Sequence, residues 1–168
     1  MSERLRVQFI HGLEGHPRGT KAVFLAERFE ALTPSMVTSD LEGSIRTQHE
    51  ALQAFRPDVL VGSSFGGAVA VALLARGAWR GPTVLLAPAA ELIGIEHPLP
   101  EGVAVTLAHG VDDDIVPLAH SESLAKTGTP ELVRLVRVDD GHRLQSLVDD
   151  GRLAELVVET HRRGAERG

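Results

Sequence analysis

The chain contains no cysteine. That excludes disulfides, thiolate metal sites and a cysteine nucleophile. No apolar run approaches the length needed to span a bilayer, so no membrane span is expected. Low-complexity segments, internal repeats and linker-like stretches are missing as well, which leaves no boundary at which to divide residues 1–168 into domains. Lysine is scarce, occurring only at Lys21 and Lys126, and the remaining basic residues are arginine. A basic face is also lacking: 23 acidic residues outnumber 17 basic ones, for a formal charge of −6. Nucleic acid is therefore not an expected partner, because phosphate binding needs positive charge. The opening Met1-Ser2-Glu3-Arg4 shows no apolar signal-peptide core, and with the absence of cysteine it points to the cytoplasm.

What is present is ordinary for one globular domain: 43% hydrophobic and 24% charged residues over a chain long enough to bury a core. The most informative stretch is Asp58-Val59-Leu60-Val61-Gly62-Ser63-Ser64-Phe65-Gly66-Gly67. Its apolar, β-branched start reads as a buried strand. The following Ala68-Val69-Ala70-Val71-Ala72-Leu73-Leu74 reads as a helix. Between them lies Gly62-x-Ser64-x-Gly66, the strand–turn–helix setting in which G-x-S-x-G forms a nucleophile elbow. The glycines are needed because side chains at so tight a turn collide with the neighbouring strand and helix. The plainer alternative is a glycine-rich turn whose serine only caps the helix.

Other strands are expected at 5–10, 35–38, 82–87, 103–108 and 132–138. Helices are expected from Thr20, which is placed to cap a face of Ala22, Leu25, Ala26 and Phe29, and from Ser44, with Ile45, Leu52 and Phe55 inward. Further helices are expected at 118–126 and toward the C-terminus, where Leu153, Leu156 and Val157 share one side. The polar tail 163–168 is expected to fray. Six strands alternating with helices predict an α/β, three-layer α/β/α sandwich around a parallel sheet.

In such sheets ligands bind at the carboxyl ends of strands. The loop His11–Gly15, Ser64, the triplet Asp112–Asp114 and His142 each follow a predicted strand. Serine chemistry needs an adjacent base, and the base needs a third group to fix its tautomer. Of eight histidines, His142 is the best base, in a Gly-flanked loop after the last strand. His11 competes less well because its loop is the expected source of an oxyanion donor. The order Ser, Asp, His is that of the α/β-hydrolases. The residues alone leave Asp112, Asp113 and Asp114 open as the acid. A metal site at the triplet lacks ligand spacing of clear geometry, and Gly12-x-x-Gly15-x-x-x-Gly19-Thr20-Lys21 fits no nucleotide-binding pattern.

Several stretches resemble the α/β-hydrolase superfamily. His109-Gly110-x-x-Asp113-x-x-Val116-Pro117 is similar to its H-G-x-x-D-x-x-V-P acid loop, and this resemblance selects Asp113. It also implies a structural role for His109. His11-Gly12-Leu13 resembles an HG-type oxyanion loop, implying the backbone N–H of Leu13 as a donor beside that of Phe65, the residue after the nucleophile. With Pro17-x-Gly19-x-Lys21-Ala22 and Gly62-Ser63-Ser64-Phe65-Gly66-Gly67, the match extends to the small bacterial YqiA-type esterases. The chain departs from them in Leu13, where an aromatic residue is frequent, and in its triple aspartate. The resemblance implies a carboxylesterase or thioesterase with a minimal core, no large lid, no cofactor and no metal. The substrate would be a small-molecule ester or thioester, and the enzyme a monomer or homodimer. Gly12, Leu92 and Ile93 are the candidate substrate-binding residues; the last two lie with Ile95 and Leu99 on the 88–102 segment, the only room for a lid, where these side chains either border an acyl pocket or pack on the sheet. A non-catalytic binding protein of the same fold is the alternative.

Overall fold

The structure, a computed structural model, describes residues 4–13 and 15–167. Glu14, within the first loop, and Met1–Glu3, from which the cytoplasmic reading started, lie outside the described residues, as does Gly168. Six strands form one wholly parallel sheet: β1 (Arg6–Ile10), β2 (Glu30–Leu32), β3 (Val59–Ser63), β4 (Thr83–Leu86), β5 (Val105–Gly110) and β6 (Val133–Val138). They stand in the order β2-β1-β3-β4-β5-β6. Helices α1 (Thr20–Arg28), α2 (Leu41–Phe55), α3 (Phe65–Ala75), α4 (Leu118–Leu124), α5 (Gln145–Asp149) and α6 (Arg152–Arg167) connect and cover the strands.

The central strands are buried along nearly their whole length because both of their faces are covered, and most of their residues are apolar. Val59, Val61, Val84 and Leu86 pack with Ala22, Phe24 and Leu25 of α1 and with Leu153 and Val157 of α6. Leu60, Leu85 and Leu107 point the other way, onto Leu73 of α3 and onto Ile45 and Leu52 of α2. Truncating a fully buried residue such as Leu73 to alanine removes about 2–5 kcal/mol. Helix α3 has no polar side: every residue from Phe65 to Leu74 is buried. It is therefore the central helix of its layer, between the sheet and α2.

Three local expectations are corrected. The second strand is Glu30–Leu32, not 35–38. Helix α1 ends at Arg28, and the short segment after it pairs with β1 at Arg6↔Glu30. Pairing to an edge decides this strand, and periodicity over three residues cannot reveal it. The caps also shift by a few residues. Gly19 precedes α1, and Asp40 caps α2 by accepting from the Gly43 N–H at 2.9 Å. Ser44 lies buried within α2 and its hydroxyl donates to the Val37 carbonyl. Finally, the helix continues through the segment expected to fray. Arg163 donates to the Leu132 carbonyl at 2.9 Å and to the Thr106 hydroxyl, which ties that polar stretch to the edge of the sheet.

Chain order reverses between β1 and β3: the chain steps outward from β1 to β2 and then returns to the other side of β1. Such a switch point opens a crevice at the carboxyl ends of the two strands. Ile10 pairs with Gly62 at that edge, so the loop after β1 and the turn after β3 are neighbours.

Candidate active site

The turn after β3 is as tight as its glycines require. Ser64 has φ +55° and ψ −113°, a conformation L-residues rarely adopt and one that costs on the order of 1–3 kcal/mol. A Cβ on Gly62 would lie 2.5 Å from the Gly66 carbonyl oxygen, and one on Gly66 would overlap the Ile10 carbonyl. The strained residue is pinned from both sides, its N–H donating to Leu86 O at 2.9 Å and its carbonyl accepting from Ala89 N–H at 3.0 Å. Ser64 offers no side-chain cap to α3, which argues against the helix-capping alternative. Its hydroxyl instead meets His142 Nε2 at 2.9 Å.

His142 Nδ1 lies 2.8 Å from Asp113 Oδ2. A carboxylate can only accept, so Nδ1 carries the proton and Nε2 turns its lone pair to the serine hydroxyl. The Asp113 side chain has no solvent exposure. Its Oδ1 accepts the N–H groups of Ile115 and Val116, each at 2.8 Å. Burial pushes this carboxyl up, but the hydrogen bonds from His142, Val116 and Ile115 outweigh it and hold the group below the usual carboxylate range. Asp112 and Asp114 are exposed, and among the described residues neither carboxylate bonds His142.

The loop bearing His142 is held by parts the sequence did not advertise. Asp140 accepts the Gly141 N–H at Oδ1 (2.7 Å) and the Ser146 N–H at Oδ2 (2.8 Å). Those bonds, led by the one from Ser146, draw its carboxyl below the ordinary value. Lys21, in the first turn of α1, donates to the Arg143 carbonyl at 2.6 Å. Leu144, at φ +50°, is wholly buried and anchors the loop in the core. Only the pattern Asp-Gly-His hinted at such a turn, and the long-range tie from Lys21 left no local signature.

A cavity of about 650 Å³ opens beside the triplet Ser64, His142 and Asp113; Ser64, His142, His11, Gly12, Leu13 and Ile115 are among its walls. Leu13 is 62% exposed, so its side chain packs against little and its backbone is the part positioned by the loop. Phe65 is the first residue of α3, and its N–H has no acceptor within the helix. His11 is buried, its Nδ1 bonded to the Gly12 carbonyl at 2.8 Å, while Nε2 has no partner among the described residues. Leu92 and Ile93 sit exposed on a single 3-10 turn and line neither this cavity nor a second of about 370 Å³ between 88–98 and α4. From the same segment Ile95 lines the second cavity and Leu99 packs in the core, so the segment forms a short strap and no large lid. Among the described residues no group of three His, Asp or Glu is placed to hold a metal ion, and no helix is long and apolar enough to cross a membrane.

No family model and no curated protein matches the chain. Solved structures do. An alpha/beta-superfamily protein from Xanthomonas campestris pv. campestris superposes with a TM-score of 0.70 at 24% identity, over 98% of this chain and 97% of that one. The fold is that of the α/β-hydrolases. Est1E from Butyrivibrio proteoclasticus gives a TM-score of 0.72 at 17% identity, over 94% of this chain and 88% of its own. A monoacylglycerol lipase from Paleococcus ferrophilus gives 0.71 at 13%, covering 94% of each chain. Among the described residues the sheet has six strands, and a short segment with one 3-10 turn joins β4 to β5.

Proposed function

We propose that the protein is a serine hydrolase that cleaves carboxylic ester or thioester bonds. The observation that carries this reading is the unbroken chain from Ser64 Oγ to His142 Nε2 (2.9 Å) and from His142 Nδ1 to Asp113 (2.8 Å), at the edge of a cavity able to take a small acyl compound. In this reading Ser64 Oγ attacks the carbonyl carbon as its proton passes to His142 Nε2. Asp113 stabilises the imidazolium so formed. The N–H groups of Phe65 and Leu13 receive the oxyanion, a contribution of about 3 kcal/mol for each donor. The tetrahedral species collapses, and His142 returns the proton to the departing alcohol or thiol. Water, deprotonated by the same imidazole, then attacks the acyl-enzyme and releases the acid with Ser64 restored.

A monoacylglycerol lipase among the proteins sharing the fold supports a hydrolase, and the stretches around His11 and Ser64 support the finer likeness to YqiA-type esterases. Gly12 sits in the cavity wall and is the candidate closest to the substrate. The test is labelling by a fluorophosphonate together with hydrolysis of p-nitrophenyl acetate and butyrate, run beside Ser64→Ala. Labelling and turnover that disappear in the variant are expected. A wild type that neither labels nor turns over these esters would overturn the reading in favour of a non-catalytic protein of the same fold.

A further inference from the structure

The acid loop is braced from below by a second histidine. His109, near the end of β5, and Ser121, on α4, have no solvent exposure. A buried imidazole needs a partner at each nitrogen, and this one has them. Nδ1 lies 2.7 Å from Ser121 Oγ and Nε2 lies 2.8 Å from the Val116 carbonyl. Nε2 also stands 3.2 Å from Asp113 Oδ2, the oxygen that receives His142.

The proton positions follow from the partners. A carbonyl only accepts, so Nε2 carries a proton, and a neutral ring then offers its lone pair at Nδ1 to the Ser121 hydroxyl. The Nε2–H donates to Val116 O, and the same ring edge stands beside Asp113 Oδ2. Asp113 thus has two backbone N–H groups on Oδ1 and the His142 N–H on Oδ2, with the His109 ring packed against that oxygen. Turning the carboxylate away from His142 breaks several of these at once. A residue needed only for packing here would avoid polar atoms, since each one buried without a bond is costly.

We propose that Ser121 and His109 are positioning residues: Ser121 holds the His109 ring, and His109, through the Val116 carbonyl and its place beside Asp113 Oδ2, holds the acid loop so that the carboxylate faces His142. This rests on the triad reading above and adds two residues that touch no substrate. The test uses His109→Leu, which removes the donor, His109→Gln, whose side-chain amide can restore it, and Ser121→Ala. Two readouts are taken: kcat and KM on p-nitrophenyl butyrate, and the strongly downfield proton resonance of His142 Nδ1–H, which needs no turnover. The expected result is a kcat lowered up to about tenfold in the leucine variant, the scale of one lost hydrogen bond, with KM little changed. The resonance should shift or broaden, glutamine should recover part of both, and Ser121→Ala should lower kcat by a few-fold. A folded leucine variant with unaltered kcat and resonance would overturn the proposal. Should leucine prevent folding, Ser121→Ala decides, and an unchanged resonance and kcat in that variant overturn it equally. Failure of the triad reading is a separate result, since it appears as an unlabelled wild-type Ser64.

Discussion

The two sides of the site are built in opposite ways. On the acid side, Asp113 has no solvent exposure and both of its oxygens accept hydrogen bonds, from Ile115, Val116 and His142, with the His109 ring beside them. On the proposed oxyanion side, Leu13 is 62% exposed and His11 Nε2 has no partner among the described residues. The contrast follows from when each charge exists. The carboxylate is charged in the resting protein and must be held by the fold at all times. An oxyanion exists only during reaction, so its donors must be preorganised yet unfilled until a substrate brings the acceptor.

The comparison can be broken in graded steps. Asp113→Asn should have the largest effect, lowering kcat by about 10⁴-fold through loss of the favoured His142 tautomer. Steady-state kinetics measure this, and a loss below tenfold would show that the dense bonding serves stability alone. Next, Leu13→Pro removes the proposed donor and should lower kcat by about 10²–10³-fold. Leu13→Ala keeps the N–H and should stay within a few-fold of wild type, because the exposed side chain packs against little. Equal losses in the two Leu13 variants would return the role to the side chain.

A smaller effect concerns stability and pH. The folded-state value of Asp113 is depressed, so its contribution is fully present above the unfolded value near 3.9 and is lost as pH falls through the lower folded value. The difference in urea midpoint between wild type and Asp113→Asn should accordingly shrink below about pH 4. A difference constant down to strongly acid conditions would contradict the assigned bonding. Smallest of all, Asp112→Asn and Asp114→Asn should leave kcat within about twofold, as surface changes away from the chemistry do. A large loss in either would reopen the choice of acid.

The elbow was readable in the sequence because its requirement is local: Gly62 and Gly66 can be replaced only at the cost of a clash with backbone one turn or one strand away. The apolar strands were readable for the same kind of reason, since a strand covered on both faces shows no alternation. The edge strand Glu30–Leu32 was not, because three residues carry no period and their pairing to β1 decides them. Leu92, Ile93, Ile95 and Leu99 were alike by hydrophobicity, yet the first two sit on an exposed turn, Ile95 lines a cavity and Leu99 packs in the core. Hydrophobicity marks what a residue tolerates and does not say which surface it meets. Lys21 and Ser121 were silent: one acts on a carbonyl 122 residues away, the other on a ring in a neighbouring strand.

Residue order and local stereochemistry thus specify a parallel α/β sheet and a strained serine at the end of its third strand, because these depend on short-range sterics and periodicity. Strand order, and with it the crevice between β1 and β3, belongs to tertiary structure. So do the meeting of Ser64, His142 and Asp113 and the brace of His109 beneath them. The physical reason is that these contacts join groups supplied by separate crossover units. Their distances are set by how whole strands and helices pack, which no stretch of neighbouring residues encodes.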